Sequence, residues 1–231
     1  MKKALGLKFN NGQGLVEYVL LLTLLVIGVI LVMSLAGVSI SDLYCSAANA
    51  VGGGKACDEQ QTYCYGGLDQ WQTAGNLSQN NGQVCFQNGL QSMNKCSMNL
   101  PESDYVINMN DVTLSKGDGY GVYFRTTVDA NGIDGYAFQY DPGAGNALLI
   151  RRWINGKEVM TPIARVPINS TIYNVPHDFK IVVEGNTFTV FMDGVQVMTA
   201  QDSTYPTGGI GLRSWDSTSG CFNDFSLDQL P

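Results

Sequence analysis

An uncharged apolar run near the N-terminus constrains this chain more than any other feature. From Val19 to Val38 the sequence contains 20 residues without a charge. An α-helix rises about 1.5 Å per residue, so the run is long enough to cross the ~30 Å hydrocarbon core of a membrane. Lys2, Lys3 and Lys8 precede it with no acid among them, which favours a cytoplasmic N-terminus. The run therefore predicts a long N-terminal helix.

One acidic residue, Glu17, stands directly before this run. A carboxylate that enters a membrane is costly, so its presence calls for an explanation. It is explained if Glu17 lies at the level of the lipid headgroups. It is also explained if the N-terminal amine of a neighbouring subunit neutralises the carboxylate inside a helical assembly, because buried charges persist when they are paired.

The stretch from Gly12 to Tyr18, followed by the apolar run, resembles the class III signal of type IV pilins. It is closest to the type IVb, tight-adherence (Flp) form, in which four residues separate a glycine from Glu-Tyr. The resemblance implies that a prepilin peptidase cleaves between Gly12 and Gln13. It also implies that Glu17 and Tyr18 take part in assembly and that the retained helix packs into a filament core.

All the cysteines follow the apolar run, as expected if that part of the chain is exported and oxidised. A zinc site is the alternative, but the sequence has no C-x-x-C and its only histidine is His177. The sequence favours a Cys85–Cys96 disulfide, with Cys221 joined to one of the three earlier cysteines. The six are Cys45, Cys57, Cys64, Cys85, Cys96 and Cys221.

From about Leu68 the chain alternates apolar and polar residues in short runs separated by Asn-Gly and Asp-Gly pairs. This pattern is typical of β-strands joined by hairpins in a sandwich or barrel. We therefore predict an α+β chain in which a long transmembrane and assembly helix precedes an all-β jelly-roll sandwich. The predicted divisions are a leader (1–12), the helix (13–51), a Cys- and Gly-rich connector (52–67) and the sandwich (68–231).

The closing strands resemble laminin-G-like domains of the concanavalin type. The resemblance rests on three segments: Phe188 to Gly194, Gly208 to Ser214, and Phe222 to Phe225. It implies the jelly-roll fold, but that fold serves enzymes, lectins and spacers alike.

Composition argues against several functions. The net charge is -7 and there is no basic stripe, so a nucleic-acid partner is not expected. The glutamates lie far apart in sequence, without the paired carboxylates of concanavalin-type glycosidases. His177, in Val-Pro-His-Asp-Phe, is more consistent with a surface turn than with a catalytic triad. We therefore expect no enzyme activity.

Glycan binding is the better candidate for the sandwich, because exposed aromatic side chains can stack on sugar rings. Trp153, Trp215, Tyr140 and Tyr205 are the candidates, although each could equally pack in the core or at its rim. No cofactor or metal is expected. Calcium is conceivable at Asp129, Asn131 and Asp134 or within Asp216–Asp224, where solvated turns are the alternative interpretation.

The sequence thus predicts a structural subunit of an extracellular pilus. It would be a membrane-inserted precursor that later forms a helical homo-oligomer on the cell surface. Its expected partners are the prepilin peptidase, the inner membrane and glycans. The alternatives are a membrane-anchored lectin-like adhesin that does not polymerise and, less favoured, a surface glycosidase.

Overall fold

The computed structural model describes residues 18–24, 62–72, 76–100, 103–169, 172–215 and 217–230. The chain divides into two compact units, Met1–Glu59 and Gln60–Pro231. In the first unit the described residues form one short helix, 18–24, whose side chains are exposed. In the second unit they form a β-sandwich.

Among the described residues the predicted long N-terminal helix is not found and strands dominate, so the α+β assignment is wrong. Among the described residues no helix is both long and apolar enough to cross a membrane. The membrane-inserted precursor and the pilin filament subunit, which depended on that helix, are corrected with it.

Several predicted residues of the N-terminal segment lie outside the described residues. They are the processing residues Gly12 and Gln13, the assembly residue Glu17, and the cysteines Cys45 and Cys57. Tyr18 belongs to the short helix and is 78% exposed. The resemblance to a pilin signal stays a sequence prediction.

The second unit begins with eight strands in the first part of its chain. They are β1 (Thr62–Tyr65), β2 (Leu77–Asn80), β3 (Gln83–Gln87), β4 (Leu90–Met93), β5 (Tyr105–Lys116), β6 (Tyr120–Asp129), β7 (Gly132–Asp141) and β8 (Ala147–Ile154). Two single 3-10 turns, Leu68–Gln70 and Ser97–Asn99, lie between them.

Eight further strands complete the unit. They are β9 (Lys157–Glu158), β10 (Ala164–Pro167), β11 (His177–Glu184), β12 (Thr187–Met192), β13 (Val195–Gln201), β14 (Gly209–Ser214), β15 (Ser219–Phe222) and β16 (Asp224–Gln229). The all-β sandwich is therefore confirmed, and it includes Thr62–Tyr65 from the predicted connector.

The described strands form two antiparallel sheets. The nine-stranded sheet has the order β13-β12-β11-β5-β15-β3-β2, and β16 joins β1 to β5. The seven-stranded sheet has the order β10-β8-β7-β6-β14-β4, and β9 extends β8 as a hairpin. Both central strands, β5 and β6, are long enough to pair with partners on either side.

Alternation along the strands separates the core from the outer face of the seven-stranded sheet. Val122, Phe124 and Phe138 point into the main core between the sheets. The residues between them, Tyr123 and Ala137, belong to a second apolar cluster with Met93, Ile133 and Trp153. Because side chains alternate between faces, this second cluster lies on the outer face.

Hairpin turns fix the register of several strand pairs. Asn155 and Gly156 have φ values of 50° and 71°, and Asp193 and Gly194 have 52° and 78°. Positive φ at both central residues is the type I′ geometry that matches strand twist and favours Asn-Gly and Asp-Gly. The predicted turns at these two pairs are confirmed.

Two disulfides join the described cysteines. Cys64 bonds to Cys96, and Cys85 bonds to Cys221. The predicted Cys85–Cys96 pair is wrong, because β15 lies beside β3 and places Cys221 directly opposite Cys85. Cys96 instead reaches Cys64 on β1.

Candidate functional site

The outer face of the seven-stranded sheet holds an arginine between two tryptophans. The guanidinium carbon of Arg213, on β14, lies 4.5 Å from the ring centre of Trp153 and 4.3 Å from that of Trp215. Both distances are within the range of cation–π attraction. Both indoles therefore contact the guanidinium and restrict its position.

Glycine gives Arg213 the room to lie across the sheet. Gly121, on β6, is paired with Arg213 and with Gln139. A Cβ at Gly121 would lie 3.1 Å from the Cγ of Arg213 and 2.7 Å from the carbonyl oxygen of Phe138. A larger residue there would push the arginine off the face.

Glu158 anchors the arginines from the side. Its Oε1 accepts hydrogen bonds from Gln139 Nε2 at 2.8 Å and Arg151 Nη1 at 3.0 Å, and lies 3.2 Å from Arg213 Nη1. Arg213 also donates to the side-chain oxygen of Gln139 at 3.2 Å. The Asn155-Gly156 turn folds β9 back beside β8 and so places this carboxylate over the sheet.

The surroundings of Glu158 keep it ionised. Burial acts to raise the pKa of its carboxyl, but the charge of Arg213 and the hydrogen bonds from Gln139 and Arg151 outweigh burial. The pKa of Glu158 is therefore below its ordinary value. Its charge offsets part of the positive charge of the two buried arginines, so the face is close to neutral.

The arginine opens onto a cavity of about 380 Å³. The cavity is lined by Gly89, Leu90, Gln91, Arg213, Ser214 and Trp215. The Ser214 hydroxyl donates to the carbonyl oxygen of Asn88 at 2.6 Å, and the Gln91 amide donates to the Tyr123 hydroxyl at 3.0 Å. The oxygen atoms of Ser214 and Gln91 can still accept hydrogen bonds, while Arg213 can donate.

Two buried donors of the same cluster have no partner. The indole nitrogen of Trp153 and the Nε of Arg151 form no hydrogen bond with any described residue. Buried polar groups are nearly always satisfied, so these two donors mark positions where a buried water oxygen fits. What remains on this face can donate, accept and stack, which is the chemistry of binding a polyhydroxylated ring.

The structure brings two of the predicted aromatic residues together and separates the others. Trp153 and Trp215 flank Arg213. Tyr140 is fully buried in the core, where its hydroxyl donates to Asn146 Oδ1 at 2.8 Å, so it is not available to a surface ligand. The hydroxyl of the half-buried Tyr205 donates to the carbonyl oxygen of Trp153 at 2.8 Å and so supports the site from behind.

Sequence reasoning missed the charged members of the site. Arg213, Arg151, Glu158 and Gln139 were not singled out. A usable signal was present, because each arginine lies within a strand whose other residues are almost all apolar or glycine. A charge in such a strand needs a partner.

The other candidate residues are committed to turns and surface pairs. Asp129 Oδ1 accepts from the backbone nitrogen of Asn131 at 2.7 Å, and Asp134 Oδ1 accepts from that of Asn155 at 2.6 Å. His177 Nδ1 lies 2.7 Å from Asp193 Oδ2. Within the described ranges, three or more His, Cys, Asp or Glu side chains nowhere meet in a way that could hold a metal ion. Asp216 lies outside those ranges.

Comparisons with known proteins give one partial sequence match and several similarities of fold. No family model matches the chain. A levanase of Bacillus subtilis (strain 168) is 28% identical over 113 residues, which cover 48% of this chain and 16% of the levanase. The chain thus spans about one sixth of the length of that curated relative.

Many solved structures are similar, and three of them illustrate the likeness. Carbohydrate binding module CBM66 from Bacillus subtilis superimposes with a TM-score of 0.53 at 22% identity, over 71% of this chain and 95% of that chain. A protein of unknown function with a galectin-like fold from Bacillus subtilis gives 0.54 at 14%, over 70% and 90%. The VIP36 exoplasmic/lumenal domain, bound to Ca²⁺ and Man3GlcNAc, gives 0.53 at 14%, over 71% and 86%. At these identities the likeness shows the fold.

Proposed function

We propose that this protein is a non-catalytic, lectin-like carbohydrate binder that takes a neutral glycan in the Arg213 cavity. The observation that carries the proposal is the Arg213 guanidinium, held between two indoles and opening onto a cavity of about 380 Å³. Trp215 offers a ring face for stacking. Arg213 donates to sugar hydroxyls, and Gln91 and Ser214 accept from them.

The charge of the cavity favours a neutral ligand. Glu158 offsets part of the charge of the two arginines, and Asp141 Oδ2 lies 3.7 Å from Arg151 Nη1. A hydroxyl group both donates and accepts a hydrogen bond, and the cavity offers partners of both kinds. Glu158, 3.2 Å from Arg213 Nη1, reduces the attraction of this arginine for an acidic sugar, so we expect a neutral sugar to be preferred.

The similar proteins support the same function. One is named a carbohydrate binding module, one is a levanase, and one was solved with a mannose-containing glycan bound. Of the functions that the sequence predicted, lectin-like binding is the one that this site supports.

Hydrolysis is less well supported than binding. Glu158 and Asp141 both contact Arg151, so their carboxylates lie within roughly 7 Å of each other, a separation found in glycosidases. A general acid, however, needs a raised pKa and a free proton. The pKa of Glu158 is lowered and one of its oxygens contacts three nitrogen atoms.

The proposal is tested by titrating the purified protein with levan, inulin, α-mannan and polygalacturonate. We expect binding to at least one neutral polysaccharide and none to polygalacturonate. Trp215→Ala should weaken binding about tenfold or more, which corresponds to about 1.4 kcal/mol. Trp215→Phe should keep part of the affinity, because a ring face remains.

A control variant separates the site from general effects of aromatic removal. Tyr65 is 68% exposed on β1 of the other sheet, so Tyr65→Ala should bind like the unmodified protein. Because Asp129 and Asp134 are occupied by backbone nitrogens, we expect EDTA to leave binding unchanged. Unaltered affinity in Trp215→Ala would place binding elsewhere.

A further inference from the structure

The outer face of the nine-stranded sheet carries a separate cavity of about 240 Å³. Its lining includes Asn110 from β5, Asp178 and Lys180 from β11, Phe191 from β12 and Gly194 from the following turn. The outer faces of the two sheets lie on opposite sides of the sandwich, so this cavity is remote from Arg213. None of its residues takes part in the site described above.

Strand register builds the cavity from three neighbouring strands. Lys180 is paired with Phe191 on one side and with Asn108 on the other. Paired residues of antiparallel strands project to the same face, so these side chains form one row across the sheet. The Lys180 ammonium lies 4.7 Å from the centre of the Phe191 ring.

Some polar groups of this row already form hydrogen bonds within the protein, and others do not. Asn108 is used by the sheet itself, since its amide donates to Asp228 Oδ2 at 2.6 Å. Lys180 forms no ion pair and the Asn110 side chain no hydrogen bond with any described residue. Asp178 Oδ1 accepts from the backbone nitrogen of Asp111 at 2.9 Å, which leaves its second oxygen for another donor.

These groups define the chemistry of a ligand. Lys180 and Asp178 have opposite charges, so a neutral molecule is favoured over an ion. The Asn110 amide both donates and accepts, Asp178 accepts, and Lys180 donates, as vicinal hydroxyl groups require. Phe191 adds apolar ring surface, and nothing lies within 4 Å of a Cβ built on Gly194, so the rim is open.

We propose that this cavity is a second glycan subsite, which takes one neutral sugar ring independently of the Arg213 cavity. Packed sheets lie about 10 Å apart, and the two cavities face away from each other across them. A short oligosaccharide cannot reach both. A single protein molecule can bind polysaccharide at both of its faces. Each protein molecule then cross-links polysaccharide chains, and its avidity is higher than the affinity of either cavity alone.

Nuclear magnetic resonance of the full chain, ¹⁵N-labelled, tests the proposal residue by residue. The probes are a fructo-oligosaccharide and a manno-oligosaccharide. We expect one of them to shift two separate groups of amide signals, residues 178–180 with 191–194, and residues 213–215. In Trp215→Ala the first group should still respond. In Phe191→Leu the second group should respond as before, and the first group should respond with its affinity lowered about fivefold or more.

A matched variant and a second readout complete the design. Phe191→Tyr keeps the ring and should keep the first group of shifts. An unchanged second group in Phe191→Leu would exclude a general folding defect in that variant. The unmodified protein should also cross-link and precipitate levan or α-mannan, whichever it binds. Trp215→Ala and Phe191→Leu should each abolish precipitation.

The outcomes separate this inference from the proposed function. Shifts confined to 213–215 would overturn the second subsite and leave the proposed function standing. Shifts confined to 178–180 and 191–194 would support the subsite and overturn the assignment to the Arg213 cavity. An absence of shifts with both oligosaccharides would overturn both.

Discussion

Glu158 is the side chain on which the buried arginines of the outer face depend. Arg151 and Arg213 are 6% and 8% exposed, and both meet the same carboxylate oxygen. Removing one partner from a buried charged cluster leaves the remaining charges uncompensated in a medium of low dielectric. Glu158 therefore contributes both to the stability of the sandwich and to the position of Arg213.

We expect Glu158→Gln to lower the free energy of unfolding by about 2 kcal/mol, because glutamine keeps an acceptor oxygen but not the charge. Urea denaturation measures the change. Glu184→Gln, an exposed glutamate at the end of β11, should stay within about 0.5 kcal/mol of the unmodified protein. Equal stability of the two variants would mean that the arginines are compensated in another way.

The unmodified protein and Glu158→Gln should also differ in how their stability depends on pH. The folded-state pKa of Glu158 is lowered by Arg213, Gln139 and Arg151 against the effect of burial. Its contribution is fully present above the unfolded pKa, about 4.3, and is lost as pH falls through the folded value. We expect the unmodified protein to lose stability below about pH 4, and Glu158→Gln to lose less over that range.

Two hairpins of the seven-stranded sheet pack against each other through glycine. A Cβ at Gly132, where φ is +116°, would lie 2.6 Å from the Cα of Gly156. The hairpin that contains Gly156 also carries Glu158, so the approach of the two turns positions the carboxylate. Backbone contact at this distance excludes every side chain.

Alanine at this contact should cost more than alanine at an open turn. Gly194 also has positive φ, at +78°, but nothing lies within 4 Å of its Cβ. Gly194→Ala should cost about 1 kcal/mol from backbone strain, and Gly132→Ala should cost at least about 1 kcal/mol more from overpacking. Thermal unfolding of both variants gives the difference. Equal losses would show that the hairpins can separate without penalty.

The strands were predictable from sequence where the alternation was regular and the turns were diagnostic. The pairs Asn155-Gly156 and Asp193-Gly194 predicted their hairpins, because a type I′ turn needs positive φ at both central residues and Asn-Gly and Asp-Gly are the pairs that favour it. The pairing of Cys221 with Cys85 was not predictable, since it requires β15 to lie beside β3. Local pattern carries no information on which distant strands become neighbours.

The site was predictable only in its aromatic part. Trp153 and Trp215 stood out as residues able to stack on a sugar, but their neighbours come from β7, β9 and β14 through sheet register. Tyr140 has the same chemistry and lies inside the core, because the alternation of β7 points it inward. The face of the sheet on which an aromatic side chain lies, rather than its residue type, therefore decides whether it belongs to the site.

The two disulfides of the β unit join cysteines at very different separations in the sequence. Cys64–Cys96 spans 32 residues and Cys85–Cys221 spans 136. In the chain-entropy description, the longer loop restricts the unfolded chain more, by about 1.3 kcal/mol between these two lengths. The longer disulfide should therefore stabilise the unit more.

Two double variants measure this difference in urea at neutral pH. Cys85→Ser with Cys221→Ser should lower stability by about 1 kcal/mol more than Cys64→Ser with Cys96→Ser. Both should still fold, because the core between the sheets is unchanged. A larger loss from the Cys64–Cys96 pair would show that native-state contacts at β1 dominate over loop length.

The position of β15 between β3 and β5 has a consequence for how the protein is made. β5 ends at Lys116 and β15 begins at Ser219, about 100 residues later, which a ribosome needs on the order of 5 to 20 s to synthesise. During that interval β3 and β5 have emerged without the strand that joins them, and their edges can pair with other chains. Cys85 is also synthesised long before its native partner Cys221, at a time when Cys64 and Cys96 are already present. Mispairing of Cys85 with one of the thiols already present is the hazard that this strand order introduces into biogenesis.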